Sequence, residues 1–210
     1  MTERGFSIPR IARELNRKIK DLMPTGRFVA ATLAAIHREA HTIEVWNGGN
    51  PTALFICNYG SIRRSWPSMH PALGILKTEE FSEHTEVFRW IEPGHLYMCS
   101  DGLLEAENPA GEAFGSERME QIIFAAPPES RFVCLQAALQ DHLGSKPAHD
   151  DVSLAASECP GVRHSQVRPT GNHMTKEDDS VRSCAKWRLG LRLGAAELKT
   201  IDVLPFLMGW

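Results

Sequence analysis

Leu96-Tyr97-Met98-Cys99-Ser100-Asp101-Gly102-Leu103-Leu104-Glu105 is the stretch whose reading decides the fold. Leu96 to Cys99 is an apolar run of the length and content of a buried strand. It breaks at Ser100-Asp101-Gly102, a turn signal. A carboxylate at that point emerges at the end of a core strand, rigidly held and facing solvent, which is how a hard oxygen ligand is presented to a divalent cation. The same tripeptide also serves as a plain turn, so a second stretch has to decide between the two. That stretch is His149-Asp150-Asp151-Val152-Ser153-Leu154, where two adjacent acids precede an apolar segment, Val152 to Ala156, that reads as a short strand. Asp101 and Asp150, each at the end of an apolar segment, are expected to converge on one cation. Asp151 adjoins them.

Moving upstream, Glu86 to Trp90 and Leu96 to Cys99 read as a strand pair turning at Glu92-Pro93-Gly94-His95. Thr42 to Trp46 and Thr52 to Ile56 read as a hairpin across Asn47-Gly48-Gly49-Asn50, whose glycines tolerate the positive φ of tight turns. A strand rather than a helix follows that glycine pair, so a phosphate cradle is not the reading. Arg27 to Ile36 is strand-like. His37-Arg38-Glu39-Ala40-His41 has the wrong order for a zinc-protease helix and falls between strands. Ser7 to Leu22 reads as an amphipathic helix capped by Ser7, with Pro9 in its first turn and Ile8, Ile11, Ala12, Leu15, Ile19 and Leu22 on one face. Its Arg and Lys residues form a solvated face. Arg63-Arg64 sits in a mixed stretch and reads as a surface loop. Its other reading is a contact to a phosphorylated substrate.

Downstream, Phe114 to Ala125 and Ser130 to Leu143 read as helices, the second capped by Ser130. Cys134 on that helix is a core filler. Ser157 to Ser183 is polar, rich in Pro, Gly, Ser and charge, and without periodicity, so 157–186 reads as a linker. Trp187, Leu189, Leu191 and Leu193 then alternate with polar or small residues, a strand pattern, and 187–210 reads as the beginning of a second domain.

Composition agrees with a globular chain: 42% hydrophobic and 23% charged residues with a formal charge of -3. That near-neutral balance excludes nucleic acid as an expected partner. Five scattered cysteines without a C-x-x-C pair predict reduced thiols and a cytoplasmic location. The N-terminus has no signal-peptide core. No apolar run approaches the ~20 residues that span a bilayer, so no membrane partner is expected. Nothing in the sequence fixes an oligomeric state.

Pro93 to Ala106 resembles the "PGD-x-hydrophobic-x-hydrophobic-T/S-D-G-L-x-E-A" segment of the metal-dependent PPM phosphatases, in particular their bacterial SpoIIE-like branch. Gly111-Glu112-Ala113-Phe114-Gly115-Ser116-Glu117-Arg118 resembles that branch's "G-E-x-F-G-x-E-R", and Asp150-Asp151-Val152-Ser153-Leu154 its "D-D-x-T/S-L". Phe28 to Leu33, Asn47 to Pro51 and Pro71 to Ile75 are similar to further ordered blocks. The resemblance covers 1–156. It implies an α+β fold, an antiparallel β-sandwich flanked by helices. It also implies two Mn2+ or Mg2+ ions that activate a water for attack on phosphorus, with Asp101, Gly102, Asp150 and Asp151 at the metal site and no separate catalytic side chain. The implied substrate is phosphoserine or phosphothreonine on a regulatory protein of the anti-sigma-factor antagonist type.

The family's other acidic motifs, "G-G-D-x-x-D" and "D-x-x-G-H/K-G", have no match in this chain. An N-terminally incomplete domain with impaired hydrolysis is therefore expected, and the alternative is a non-catalytic protein-interaction remnant. The 187–210 segment weakly resembles the opening of GHKL-type anti-sigma kinase modules, with no nucleotide box.

Overall fold

The computed structural model describes residues 7–24 and 26–162, together with the backbone of 188–190 and 206–207. In chain order, α1 (Ile8–Leu22) leads to β1 (Ala31–His37), β2 (Thr42–Gly48), β3 (Ala53–Cys57), β4 (Ile62–Trp66), β5 (Glu86–Arg89) and β6 (Gly94–Cys99). A single turn of helix, α2 (Asp101–Leu104), then precedes α3 (Ser116–Ala125), α4 (Arg131–Leu143), β7 (Leu154–Cys159), β8 (Arg188–Gly190) and β9 (Phe206–Leu207). The strands form two antiparallel sheets, ordered β5-β2-β1-β9 and β4-β3-β6-β7-β8. The architecture is the expected α+β sandwich with helices outside.

Three apolar layers hold it. Between the sheets, Ile43 and Val45 of β2 meet Phe55, Leu96, Met98 and Ala155, with Trp66 and Trp90 filling the ends. On the outer face of the second sheet, Leu54, Ile56, Tyr97 and Leu154 pack against Met119 and Ile123 of α3 and Leu135 and Leu139 of α4. On the outer face of the first, Ile8, Ile11 and Ala12 of α1 cover Ala31, Leu33 and Trp46. Burying each large side chain of this kind stabilises the fold by about 1.5–3 kcal/mol. Because both faces of the second sheet are covered, every residue of β3 is buried. That explains why β3 and β6 read as unbroken apolar runs rather than as alternating strands.

α1 begins where Ser7 and Pro9 predict it, although the Ser7 hydroxyl makes no capping bond. Leu22, expected on the inner face, is 81% exposed, and Met23 packs there instead. The helix stops at Met23, whose N–H still bonds the Ile19 carbonyl at 2.8 Å while its own backbone turns extended ahead of Pro24. Asn16 is buried within the apolar face. It accepts from the Gly74 N–H (2.8 Å) and donates to the Leu76 carbonyl (3.2 Å). The basic face is not merely solvated. Arg13 makes a two-pronged pair with Glu83, both contacts at 2.9 Å, and Lys20 donates to the Gly74 and Ile75 carbonyls. Together these tie the 74–83 loop to the helix.

Two strand pairings differ from the sequence expectation. β2 and β3 are not a hairpin: β2 pairs with β1 and β5, whereas β3 pairs with β4 and β6. Likewise β5 and β6 lie in different sheets. The hairpins are β1–β2, turning at 38–41 with His41 at φ 52, and β3–β4, turning at 58–61. In a sandwich, two apolar strands in succession can be sheet neighbours or can cross to opposite layers, and burial on both layers selects the crossing here. Gly49 sits in one crossing at φ +86, where a Cβ would lie 3.0 Å from the Ala72 Cβ and 3.1 Å from the Ala30 Cβ. Arg63 and Arg64 lie on strand β4 rather than in a loop, and they pair with Glu92 and Glu86.

β7 continues through Cys159, three residues into the stretch assigned to the linker. The backbone of 188–190 pairs with β7 and that of 206–207 with β1. The remainder of the linker and of the second-domain segment, including the GHKL-like portion and Cys184, lies outside the described residues.

Candidate metal centre

β6 and β7 are antiparallel neighbours with Cys99 opposite Leu154. The end of β6 and the start of β7 therefore lie at the same edge of the sheet. Asp101 leaves β6 there as the first residue of α2, and Asp150-Asp151 approaches β7 there. The two turns are in direct contact. A Cβ built on Gly102 would stand 2.6 Å from the Asp151 carbonyl oxygen and 3.4 Å from the Asp150 Cβ. Two stretches about fifty positions apart in sequence meet at glycine-only separation.

Each aspartate is anchored by its own turn. The Gly102 N–H donates to Asp101 Oδ1 at 2.9 Å, and the Asp151 N–H donates to Asp150 Oδ1 at 2.5 Å. Asp101 and Asp150 are partly exposed and Asp151 is exposed, so all three carboxylates remain within reach of solvent. Cys99, immediately before the turn, contributes no thiolate. Burial pushes its thiol up to about 12, and the Asp101 charge acts in the same direction.

Ser100 joins the two turns. It is fully buried. Its N–H donates to the Ser153 carbonyl (3.0 Å), its hydroxyl donates to the Asp151 carbonyl (3.2 Å), and the Ser153 N–H donates back to the hydroxyl (3.0 Å). The sequence reading passed over Ser100 because a serine before Asp-Gly is ordinary turn chemistry. Its burial became apparent only once β7 was placed beside β6.

A second polar group was also missed. Thr32, Asn47 and Asn50 are buried where β2 crosses to β3. Asn47 accepts from the Thr32 hydroxyl at 3.1 Å and donates to the Pro51 and Trp66 carbonyls, each at 3.0 Å. It clasps the first sheet to the second. The Asn50 amide donates to the Thr32 hydroxyl at 3.1 Å. β3 enters its ladder at Leu54 opposite Tyr97, so this clasp is at the same end of the sandwich as Asp101.

The block 111–118 proves to be support for this end. Phe114 is buried edge-on against His142 of α4, and Gly115, at φ +76, opens α3. The Ala106 carbonyl accepts from the Phe114 N–H at 2.8 Å.

An all-oxygen donor set at a rigid strand end fits a hard divalent cation in kind. Among the described residues, no group of three or more His, Cys, Asp or Glu side chains stands in an arrangement that could hold one.

Two antiparallel sheets flanked by helices, with acidic turns at one end of the sandwich, are the architecture of PP2C-type domains. The sequence model of the stage II sporulation protein E (SpoIIE) family matches residues 1–160, and the chain belongs to that family. Among solved structures, the SiaA-PP2C domain of Pseudomonas aeruginosa is similar at a TM-score of 0.58 and 17% identity, covering 70% of this chain and 59% of that one. The RsbU and RsbW domains of Rv1364c from Mycobacterium tuberculosis are similar at 0.54 and 19% identity, covering 72% of this chain and 42% of that one. The chain therefore spans roughly half the length of either solved chain. Comparison with curated proteins finds no match. No helix among the described residues is long and apolar enough to cross a membrane.

Proposed function

We propose that this chain carries the Asp101–Asp150 half of a metal-dependent phosphatase site that acts on phosphoserine or phosphothreonine of a regulatory protein, of the anti-sigma-factor antagonist type. The observation that supports this reading is the contact of the Asp101-Gly102 turn with the Asp150-Asp151 turn at an exposed end of the sandwich. Mn2+ or Mg2+, when bound, supplies Lewis-acid activation of a water for hydrolysis of the phosphomonoester. The chain's part is to hold two oxygen ligands on a rigid strand end, with the Asp101 and Asp150 carboxylates preset by the backbone N–H groups of the residues that follow them, Gly102 and Asp151. PP2C-type and RsbU-type neighbours support the reaction class, and cytoplasmic signalling is the setting that suits it.

Two carboxylate turns supply too few oxygens for two divalent ions, which together want a dozen or so ligands from protein, water and substrate. The chain by itself is accordingly expected to turn over slowly. The same shortage favours the second reading, a protein-interaction module that keeps the substrate surface without turnover.

Hydrolysis of p-nitrophenyl phosphate with and without Mn2+ or Mg2+ tests both readings. The expected result is weak, metal-dependent turnover that Asp101→Asn removes. Robust turnover that survives both Asp101→Asn and Asp150→Asn would overturn the site assignment. Strong turnover abolished by Asp101→Asn would overturn the expected impairment.

A further inference from the structure

We propose that the corner of the sandwich formed by the last turn of α1, the 27–29 segment and the 73–75 turn is a docking surface for an acidic, amphipathic segment of a partner protein. Leu22, Phe28 and Ile75 are exposed there, at 81%, 47% and 48%. The three belong to one surface. Val29 and Leu73 exchange backbone bonds at 2.9 and 2.8 Å, which sets Phe28 and Ile75 on adjoining chains. Lys20 of α1 donates to the Gly74 and Ile75 carbonyls at 3.2 and 3.0 Å. A Cβ on Gly74 would stand 2.8 Å from the Ile19 side chain and 3.4 Å from the Arg27 carbonyl oxygen. Single exposed apolar side chains are ordinary, whereas contiguous ones rimmed by polar groups mark interaction sites.

The rim selects the occupant. Lys18, Lys20 and Arg27 are exposed and, among the described residues, none is in an ion pair. Lys18 lies one helical turn from Leu22, Arg27 adjoins Phe28, and Lys20 is held beside Ile75 by its two carbonyls. By contrast, Arg13 already faces Glu83, and Arg17 faces Glu14 and Asp21. Unpaired positive charge is therefore gathered around the apolar trio. A segment that combines carboxylates with an apolar face matches both features. An anionic bilayer instead favours a helix with a polar face rich in Lys and Arg, and Glu14, Asp21 and Glu83 interrupt this one. Phe28 leads into β1, whose first residue, Ala31, pairs with Gly48 beside the Asn47 clasp. A bound partner thus sits at the end of the sandwich that carries the Asp101 turn. Docking here requires neither Asp101 nor Asp150 to bind a metal.

The test is fluorescence anisotropy of a labelled acidic peptide of Glu, Ala and Leu, with leucines spaced i, i+3, i+4 and i+7, titrated with the full chain. One control peptide holds the same residues in an order without an apolar face. A second control is vesicles of phosphatidylserine and phosphatidylcholine. The variants are Leu22→Ser and the double change Lys18→Glu with Arg27→Glu, and circular dichroism melting checks that each is folded. Wild type is expected to bind the amphipathic peptide saturably, and more weakly as salt is raised. Each variant is expected to bind it about 5-fold or more weakly.

Absence of binding by the wild-type chain, equal binding of the reordered peptide, or undiminished binding by either folded variant overturns the inference. Binding to the vesicles in preference to the peptide reassigns the face to a lipid surface and overturns it too. Leu22 and both substituted cations are exposed, and the two variants alter different groups, so if one fails to fold the other decides.

Discussion

Replacing Gly102 by alanine probes the contact on which the functional reading depends. The added methyl would lie 2.6 Å from the Asp151 carbonyl oxygen and 3.2 Å from its carbonyl carbon. Ordinary van der Waals separation is about 3.5 Å, so the two turns must part by roughly 0.8–1 Å. The obstacle is backbone, not the tip of a flexible side chain, and the Asp151 carbonyl is already tied to the Ser100 hydroxyl at 3.2 Å. Relief therefore comes from moving the 150–153 segment and lengthening the Ser100 bonds. Overpacking of this kind costs about 1–3 kcal/mol. On a domain of this size that lowers the melting midpoint by roughly 3–8 °C. On the proposed reading of Asp101 and Asp150 as oxygen ligands, a displacement near 1 Å between their turns should also weaken Mn2+ binding about 10-fold or more. Differential scanning calorimetry and Mn2+ titration measure the two effects. A Gly102→Ala protein with wild-type midpoint and wild-type Mn2+ affinity would refute the claim that these turns are in contact.

Two further outcomes follow from buried polar groups. Arg131 is buried and donates to the carbonyls of Ala126, Cys57 and Asn58 at 3.3, 3.1 and 3.0 Å. Arg131→Met takes this partner from the Ala126 and Asn58 carbonyls at about 1–3 kcal/mol each, while the Cys57 carbonyl keeps the Gly60 N–H at 3.0 Å, so urea unfolding should show a loss of at least about 2 kcal/mol, and a loss under about 1 would contradict the assignment. Burial holds His95 below its ordinary value of 6.5, with Glu158 opposing and Arg131 reinforcing the shift, and burial lowers His70 too. The unfolded chain then binds more protons than the fold just below pH 6.5, so stability present above that pH falls as the solution is acidified. His95→Gln should flatten the dependence in part, His70 supplying the rest, and an unchanged slope between pH 7.5 and 5 would rule His95 out.

Local order was legible in the sequence because it follows from local chemistry. The Ser7–Pro9 start and 3.6-residue spacing gave α1, and the apolar runs gave β3, β6 and β7 to within two or three residues. The block around Asp101 and the acid pair at Asp150 were legible as turns at strand ends, because a turn at the end of an apolar run presents a carboxylate in any such fold. Sheet membership was not legible. β2–β3 and β5–β6 look like hairpins in sequence, yet each crosses between layers. A run buried on both faces bears no mark of its lateral neighbour, and the choice is made by which layers close over one another. Ser100, Asn47 and Arg131 were invisible for the same reason. A serine, an asparagine or an arginine is by habit a surface residue, and only the closing of β7 on β6, β2 on β3 and α4 on the Cys57–Asn58 turn makes each a buried partner. The sequence by itself determined which aspartates stand at strand ends; the tertiary structure decided that their turns touch, because only the register of β6 against β7 carries two distant turns to one edge.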